Sequence, residues 1–484
     1  AGYDRGRPVR RGCLLSKAFE VPIAESGGLI ETRGIDFIPD DERWARPRDL
    51  FWMWAGALFN VEYVVYGALA MSFGLSFAQA VVIILIGNLS FFLLGLTSLQ
   101  GPEAGTTTFT INRAAYGPRG SRLLSLFNWL TQVGFETEGL ALIVLAGLAL
   151  FHQAGVSGST GLKIGLIVVA GLIQLLLPLF GHPAILRTLR VLSVPFLILF
   201  VLMAGLSLGK LNVHSVAHGA SWQTMFAVLA VIISASGLGW TENGNDFSRY
   251  LPRNASKSRT VGWVFLGTFL PSVLLMLLGA AIFTFVPSAT NPISGLPHAF
   301  PAWFLTPYLL VAILQLFAIN SLDLYSSGVT LQALGLKLTR LQAVLLDTVI
   351  CVGLTAYATF SNRFNTLLGD FILFIIVWVA PWTAIYLTDW LLRKRTYDPE
   401  ALHARSGGLY WSSNGIHWPA IIAQLAGMAA SLSAINTTVF VGPISRASGG
   451  ADFSVFTGIV VAAVVYWLLA RRELQRPKAA PVAE

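Results

Sequence analysis

Charge is what this sequence has least of. Asp, Glu, Lys and Arg make up 12% of its 484 residues, about half of the roughly 25% usual in a soluble protein. A water-facing surface on a chain this long needs more, which excludes an ordinary soluble domain. Cysteine is nearly missing too: Cys13 and Cys351 are the only two, so neither a disulfide framework nor a thiolate metal centre is expected. The seven histidines (His152, His182, His214, His218, His298, His403 and His417) are scattered, mostly near loops. No metal site, cofactor site or nucleophile–base set stands out, which argues against a membrane enzyme. The first 48 or so residues carry no apolar core of a cleavable signal peptide, and no ATP-binding motif suggests primary transport.

What is abundant is apolar sequence. Hydrophobic residues reach 55%, and they come in runs long enough to cross a hydrocarbon core, ~20 residues per helix. Twelve such spans are expected, near 51–74, 77–99, 121–151, 163–180, 189–209, 222–244, 259–286, 305–335, 340–360, 366–391, 417–436 and 453–470. With the N-terminus inside, only Lys163, Lys210, Arg363 and Arg446 of the 32 basic residues fall on the outer side. That bias places both termini in the cytoplasm of a multi-pass plasma-membrane protein. It also accounts for the net charge of +8 as topology and attraction to anionic lipid; nucleic-acid binding would need clustering that is not there.

Four spans carry polar groups at membrane depth. Span 1 holds Gly56, Asn60, Glu62, Tyr63 and Gly67; span 6 brackets Trp240, Glu242 and Asn243 with Gly237, Gly239 and Gly244. Glycine weakens a helix and admits unusual backbone angles. A broken helix is tolerated inside a bilayer only where its freed groups line a protected cavity. Spans 1 and 6 are five apart, as an inverted repeat of five helices requires, and transporters build sites from such pairs. On span 3, Gln132 and Glu136 are one turn apart; on span 8, Asn320, Asp323 and Ser327 form a second polar stripe. A carboxylate there costs several kcal/mol on insertion scales unless it faces a cavity or a partner, about +2.5 to +3.5 for Asp. Glu136 and Asp323 are therefore expected to handle substrate or a proton, and Trp240 to stack on a flat ligand. Glu62 and Glu138, two residues from Asn60 and Glu136, should point away from those neighbours and serve structure or gating. The role of Glu242 stays open. Asp246 and Arg249 suit local pairing or capping, and Asp389 an interfacial position.

Three motifs, "GPEAGTTTFTINRAAYG" after span 2, "GWTENGNDFSRYLP" ending span 6 and "YWSSNGIHWPAIIAQLAG" opening span 11, resemble the nucleobase–cation symporter family one, and within it the purine–cytosine permease branch. The resemblance covers roughly residues 45–470. It implies an all-α leucine-transporter-type fold. Residues 49–209 and 210–391 would form two inverted five-helix repeats, 392–472 two further helices, and 1–48 and 473–484 cytoplasmic tails. It implies ion-coupled uptake of a small planar heterocycle by a protein expected to be a monomer. Asn60 matches the substrate-contacting span 1 position, Gln132 the place of a stacking tryptophan, Glu136 a ring-bonding residue, Trp240 the span 6 aromatic and Asp323 a span 8 asparagine. With Gln132 in place of an aromatic, Trp240 stacks alone or with Phe135; Asn320 joins them from the span 8 stripe. The sodium site of sodium-coupled relatives would use Gly56 and Phe59 carbonyls and span 8 hydroxyls, but Phe317, Ala318 and Ile319 stand where Ser or Thr is needed. Protons carried by Glu136 or Asp323 are thus preferred over sodium. The expected cargo is a purine or cytosine; the alternatives are allantoin, hydantoin, a vitamin-precursor ring or an amino acid, and, from other classes, a membrane enzyme or a channel.

Overall fold

A computed structural model describes residue 31 and residues 33–212, 219–361, 364–404 and 406–474, with backbone only for 364–374. Most of both expected tails, with Cys13, His214, His218, Arg363 and Arg405, lies outside the described residues. The described residues form helices joined by short connections. Among them, ten helical stretches are long and apolar enough to cross a membrane: Phe77–Ala104, Gly120–Gln153, Thr160–Phe180, His182–Leu208, Trp222–Ser248, Lys257–Phe283, Ala302–Ala333, Arg340–Ser361, Ile375–Leu392 and Ser454–Leu474. The apolar segments expected as spans 1 and 11 are shorter helices, Pro47–Leu58 followed by Val61–Ser72, and Trp418–Ala434. The outer faces are apolar: Leu208, Val349, Val201 and Leu172 are each at least 60% exposed, as suits side chains whose solvent is lipid.

Helix starts are marked by hydroxyl caps. Ser76 and Gln79 form a reciprocal capping box, and Ser159 and Ser221 accept from the amides of Leu162 and Thr224. The tightest crossing joins spans 1 and 7. A Cβ on Gly67 would overlap the Met276 carbonyl, and one on Gly279 the Val64 carbonyl; small residues here let two backbones touch. Spans 3 and 8 also pack together along much of their length.

The motifs prove to be the clamps of this frame. Asn245 accepts from the Gly101 amide at 2.6 Å and donates to the Tyr386 hydroxyl at 2.8 Å, while Asp246 accepts from the Thr108 amide at 2.9 Å. These bonds weld the end of span 6 to the connection after span 2. From the span 11 motif, His417 donates through Nδ1 to the Ala115 carbonyl at 2.7 Å, and Gln424 accepts from the Tyr116 hydroxyl at 2.8 Å. Asp246 is thus a cap. Asp389, expected at an interface, is fully buried and held by Arg393 at 2.9 Å and the Tyr466 hydroxyl at 2.6 Å.

Candidate functional site

Both helix breaks fall where the sequence puts its polar clusters. Span 1 leaves the helix at Phe59 (φ −70°, ψ 69°) and Asn60 (φ −128°, ψ 143°) before Val61 restarts it. The Asn60 carbonyl oxygen of the side chain accepts from the Glu62 amide at 3.1 Å, capping the second half. Span 6 stops at Ala235, turns at Ser236 (φ −108°, ψ −125°) and continues as a 3₁₀ helix, Leu238–Asn243. Span 2 pins this break: Ser236 donates to Asn88 at 3.1 Å and the Gly237 amide donates to Ser90 at 3.0 Å. A Cβ on Gly237 would overlap the backbone of Ser90 and Phe91, so no larger residue permits this contact.

Between the breaks lies a recess lined by Glu62, Tyr63, Tyr66, Phe135, Glu138, Ser234, Ala235, Gly239, Trp240, Ile319, Asn320 and Asp323. Through Glu62, Tyr66, Phe135, Glu138, Ser234 and Ala235 it is continuous with a cavity of about 570 Å³ that extends past Leu148 and Lys163 to Asn291 and Thr359, within the ~300–1,000 Å³ usual for small-molecule sites. The recess itself has room for about one water-sized group, ≈ 20 Å³. A ring bound here would straddle recess and cavity. Trp240 donates from its indole to the Tyr63 hydroxyl at 3.2 Å, and Trp54 meets it edge-on at 5.5 Å; these two contacts fix the plane it presents. A Cβ on Gly139 would overlap the Asn320 amide. The missing side chain lets that amide reach the Glu136 backbone carbonyl, 3.1 Å away.

Of the residues singled out from the sequence, Phe135, Trp240, Asn320 and Asp323 line this recess. Gln132 lies elsewhere, in a reciprocal amide pair with Asn243 at 3.1 and 3.3 Å. The Glu136 carboxyl also faces away, toward a buried cluster where Ser327 donates to Asp347, and among the described residues neither of its oxygens has a hydrogen-bond partner. Trp129 closes that cluster, donating to Asp347 at 2.9 Å. Gly56 packs against Leu189 of span 5, Phe59 stacks on Phe200 at 6.4 Å, and Phe317 and Ala318 pack among apolar side chains. Glu242 is fully buried and approached by the Thr241 hydroxyl at 3.4 Å.

Sequence reasoning set aside two residues that the recess contains, Glu62 and Glu138. The helical periodicity was read rightly, since both point away from Asn60 and Glu136; the recess is on the side to which they point. Phe135 held the signal. It is three residues before Glu138 on the same helix face, and an aromatic beside a carboxylate marks a cargo wall better than the more deeply apolar Glu136. Asp347, on span 9, was missed because nothing in its local sequence distinguishes it.

Comparison with known proteins places this geometry. A family described as permeases for cytosine/purines, uracil, thiamine and allantoin matches residues 37–458. A putative purine-cytosine permease, YxlA of Bacillus subtilis, is 29% identical over 92% of this chain and 97% of its own length. The purine-cytosine permease fcyB of Emericella nidulans is 25% identical over 92% of this chain and 89% of its own. Among solved structures, Mhp1, a nucleobase-cation-symport-1 family transporter in a closed conformation with bromovinylhydantoin bound, superposes with a TM-score of 0.75 at 18% identity, over 92% of this chain and 96% of that one. The chain therefore belongs to this nucleobase–cation symporter family of permeases: it is a multi-pass membrane transporter with the all-helical fold of Mhp1, and not an enzyme.

Proposed function

We propose that this transporter imports a nucleobase-like planar heterocycle, a purine or cytosine, across the plasma membrane by alternating access. The observation that carries this reading is the recess itself. Two helix breaks meet there around an indole of fixed plane, a phenyl ring and a row of carboxyl and amide groups. A flat ring with N–H edges satisfies both kinds of surface at once. Phe135 and Trp240 take the ring faces; Asp323 and Asn320, with Glu62 and Glu138, take its edge. Asn60, Gln132 and Glu136 act one layer behind, holding the break and the two polar helices in place. The names of the relatives, purine-cytosine permeases, support the cargo.

The reading includes twelve crossings, counting the broken pair Pro47–Leu58 and Val61–Ser72 as one and Trp418–Ala434 as another, with both termini cytoplasmic and a monomeric unit. In that topology the 570 Å³ cavity opens outward and the conformation is outward-facing. The coupling ion is a proton. Glu136 and Asp347 are neighbours in a buried cluster, and two like charges buried together cost less once one of them carries a proton. On span 8, Phe317 and Ala318 bring no side-chain oxygen to the place beside Gly56 and Phe59 where a sodium ion would need one.

Uptake of radiolabelled adenine, guanine, hypoxanthine, cytosine and uracil into proteoliposomes, with proton and sodium gradients imposed separately, tests this. Proton-driven uptake of a base, lost in Asp323→Asn, is expected; no uptake of any base refutes the cargo, and sodium-driven uptake refutes the coupling.

A further inference from the structure

The recess holds three carboxyl groups, from Glu62, Glu138 and Asp323, and among the described residues no Lys, Arg or His lines it. Lys163 lies at the far end of the cavity wall, where its ammonium is over the Phe360 ring at 5.8 Å. Asp323 is 3% exposed, and its Oδ1 has no hydrogen-bond partner. A buried acceptor left open costs roughly 1–3 kcal/mol unless something fills it. The helix Trp222–Ala235 ends on this recess, with Ser234 and Ala235 in its wall, and the helix Val61–Ser72 starts on it with Glu62, so opposite dipole ends meet there and the carboxyls set the sign. Four aromatic residues, Tyr63, Tyr66, Phe135 and Trp240, complete the wall, and the faces of such rings attract cations.

A metal ion does not fit this arrangement. Among the described residues no three acidic, His or Cys groups come close enough to share one; the carboxyls are distributed around the wall instead of converging on a point. Distributed acceptors and flat π faces match a larger cation whose charge is spread over several N–H groups.

We propose that the pocket selects a cationic heterocycle, one carrying an amidinium-like edge of adjacent N–H donors, over a neutral or dioxo ring of the same size. This rests on the recess being the cargo site, and it ranks a charged ring above the purines and cytosine, which are neutral at pH 7. Glu138 and Asp323 receive the charged edge, Glu62 closes the negative wall, and Phe135 and Trp240 hold the ring plane. An uncharged dioxo ring would set carbonyl oxygens against carboxylates, leaving them unpaired.

Benzamidine and benzamide separate the two cases, being planar, nearly isosteric and different in charge. Their affinities for the full-length protein in lipid nanodiscs are measured by calorimetric titration at pH 7, alongside cytosine and uracil, for wild type and for Glu62→Gln, Glu138→Gln and Asp323→Asn. Benzamidine is expected to bind at least about tenfold more tightly than benzamide, since a charge-assisted bond is roughly twice as strong as a neutral one. Glu138→Gln and Asp323→Asn should cut that preference to about threefold or less, each with an unliganded melting temperature near wild type. Equal binding of the pair, no binding of benzamidine, or an undiminished preference in all three variants overturns the proposal. The nucleobase reading fails separately: if benzamidine is preferred and neither cytosine nor uracil binds, the cationic selectivity stands and the nucleobase cargo falls; if cytosine binds while benzamidine and benzamide are indistinguishable, the reverse holds.

Discussion

Glu31 ties the N-terminal segment to the helical frame, and replacing it with glutamine should loosen the helix ends that it joins. Its carboxylate is 11% exposed and lies 3.5 Å from Arg249 and 3.7 Å from Arg340. It accepts from the His182 amide at 2.8 Å, from the Tyr325 hydroxyl at 3.1 Å and from the Tyr250 hydroxyl. One side chain therefore ties together the starts of spans 5 and 9 and the ends of spans 6 and 8. Burial pushes the Glu31 carboxyl up, but Arg340, then Arg249, the Tyr250 hydroxyl and the His182 amide outweigh it, so the group is held below its ordinary value of 4.5. Its stabilisation is thus complete above that ordinary value and is lost as pH falls through the lowered one. Glu31→Gln keeps the shape and removes the charge, leaving two buried guanidinium groups without their anion. Breaking a buried pair costs about 3–5 kcal/mol. Arg249 retains the Tyr325 hydroxyl at 2.8 Å and the Gly34 carbonyl, which puts the loss at the lower end, about 3 kcal/mol. With ~1–2 °C per kcal/mol for a chain of this size, extrapolated from smaller domains, the apparent melting point should fall by about 3–6 °C at pH 7. Thermal scans of the purified protein at fixed rate, from pH 7 down to pH 3, check both parts. Wild type should lose its advantage over the variant toward the acid end. A variant that melts within about 1 °C of wild type at pH 7, or a gap that widens on acidification, refutes the latch.

Other expectations follow from single contacts. Glu136→Gln should abolish proton-driven accumulation in proteoliposomes while sparing substrate counterflow, because its carboxyl meets Asp347 outside the recess; equal loss of both activities would contradict that division. Gly139→Val places branched carbon where the Asn320 amide now sits and should reduce substrate affinity at least about tenfold for a melting-point change of a few degrees, overpacking costing about 1–3 kcal/mol; unchanged affinity by titration would argue against Asn320. Asn245→Ala leaves the Gly101 amide and the Tyr386 hydroxyl without their partner and should destabilise by about 2–6 kcal/mol at about 1–3 kcal/mol per orphaned group, read as lower yield and melting point with cargo affinity retained in the protein that folds.

The breaks in spans 1 and 6 were legible because glycine and polar residues interrupt otherwise continuous apolar runs, and such interruptions have few structural explanations inside a bilayer. Trp240, Asn320 and Asp323 were legible for the same reason: each is polar or amphipathic where lipid tolerates neither. What the sequence could not order was the rotation of span 3. Residues 132–138 run Gln-Val-Gly-Phe-Glu-Thr-Glu, so polar groups occupy two faces, and periodicity alone does not say which face meets the recess and which meets span 9. Asp347 decides the matter by meeting Glu136, yet it is separated from Glu136 by more than two hundred residues. The motifs that identify the family are likewise silent on their own work. Asn245, Asp246 and His417 carry hydrogen-bonding groups that could suit a ligand, and all three are spent on backbone and frame contacts.

Span 3 thus carries two carboxyls of opposite outlook, and span 8 answers both. Asp323 faces the recess; Ser327, one turn further along the same helix, donates to Asp347 in the cluster that Glu136 joins. Between them Asn320 lines the recess while donating to the Glu136 backbone carbonyl at 3.1 Å. A cargo that draws Asn320 or Asp323 toward itself must shift span 8 against span 3, and the same sliding changes the distance of Ser327 and Asp347 from Glu136. Because the two helices pack along most of their length and cores deform poorly in part, recess and carboxyl cluster report on one shared coordinate. Coupling free energies of this kind are reciprocal, so cargo should raise the affinity of the cluster for a proton by the factor by which a proton raises affinity for cargo. Cutting the Asn320 link with Asn320→Ala should therefore leave a protein that still binds cargo weakly but whose affinity no longer changes between pH 6 and pH 8. Titrations of wild type and variant across that interval measure it, and a pH dependence that survives Asn320→Ala would place the coupling elsewhere.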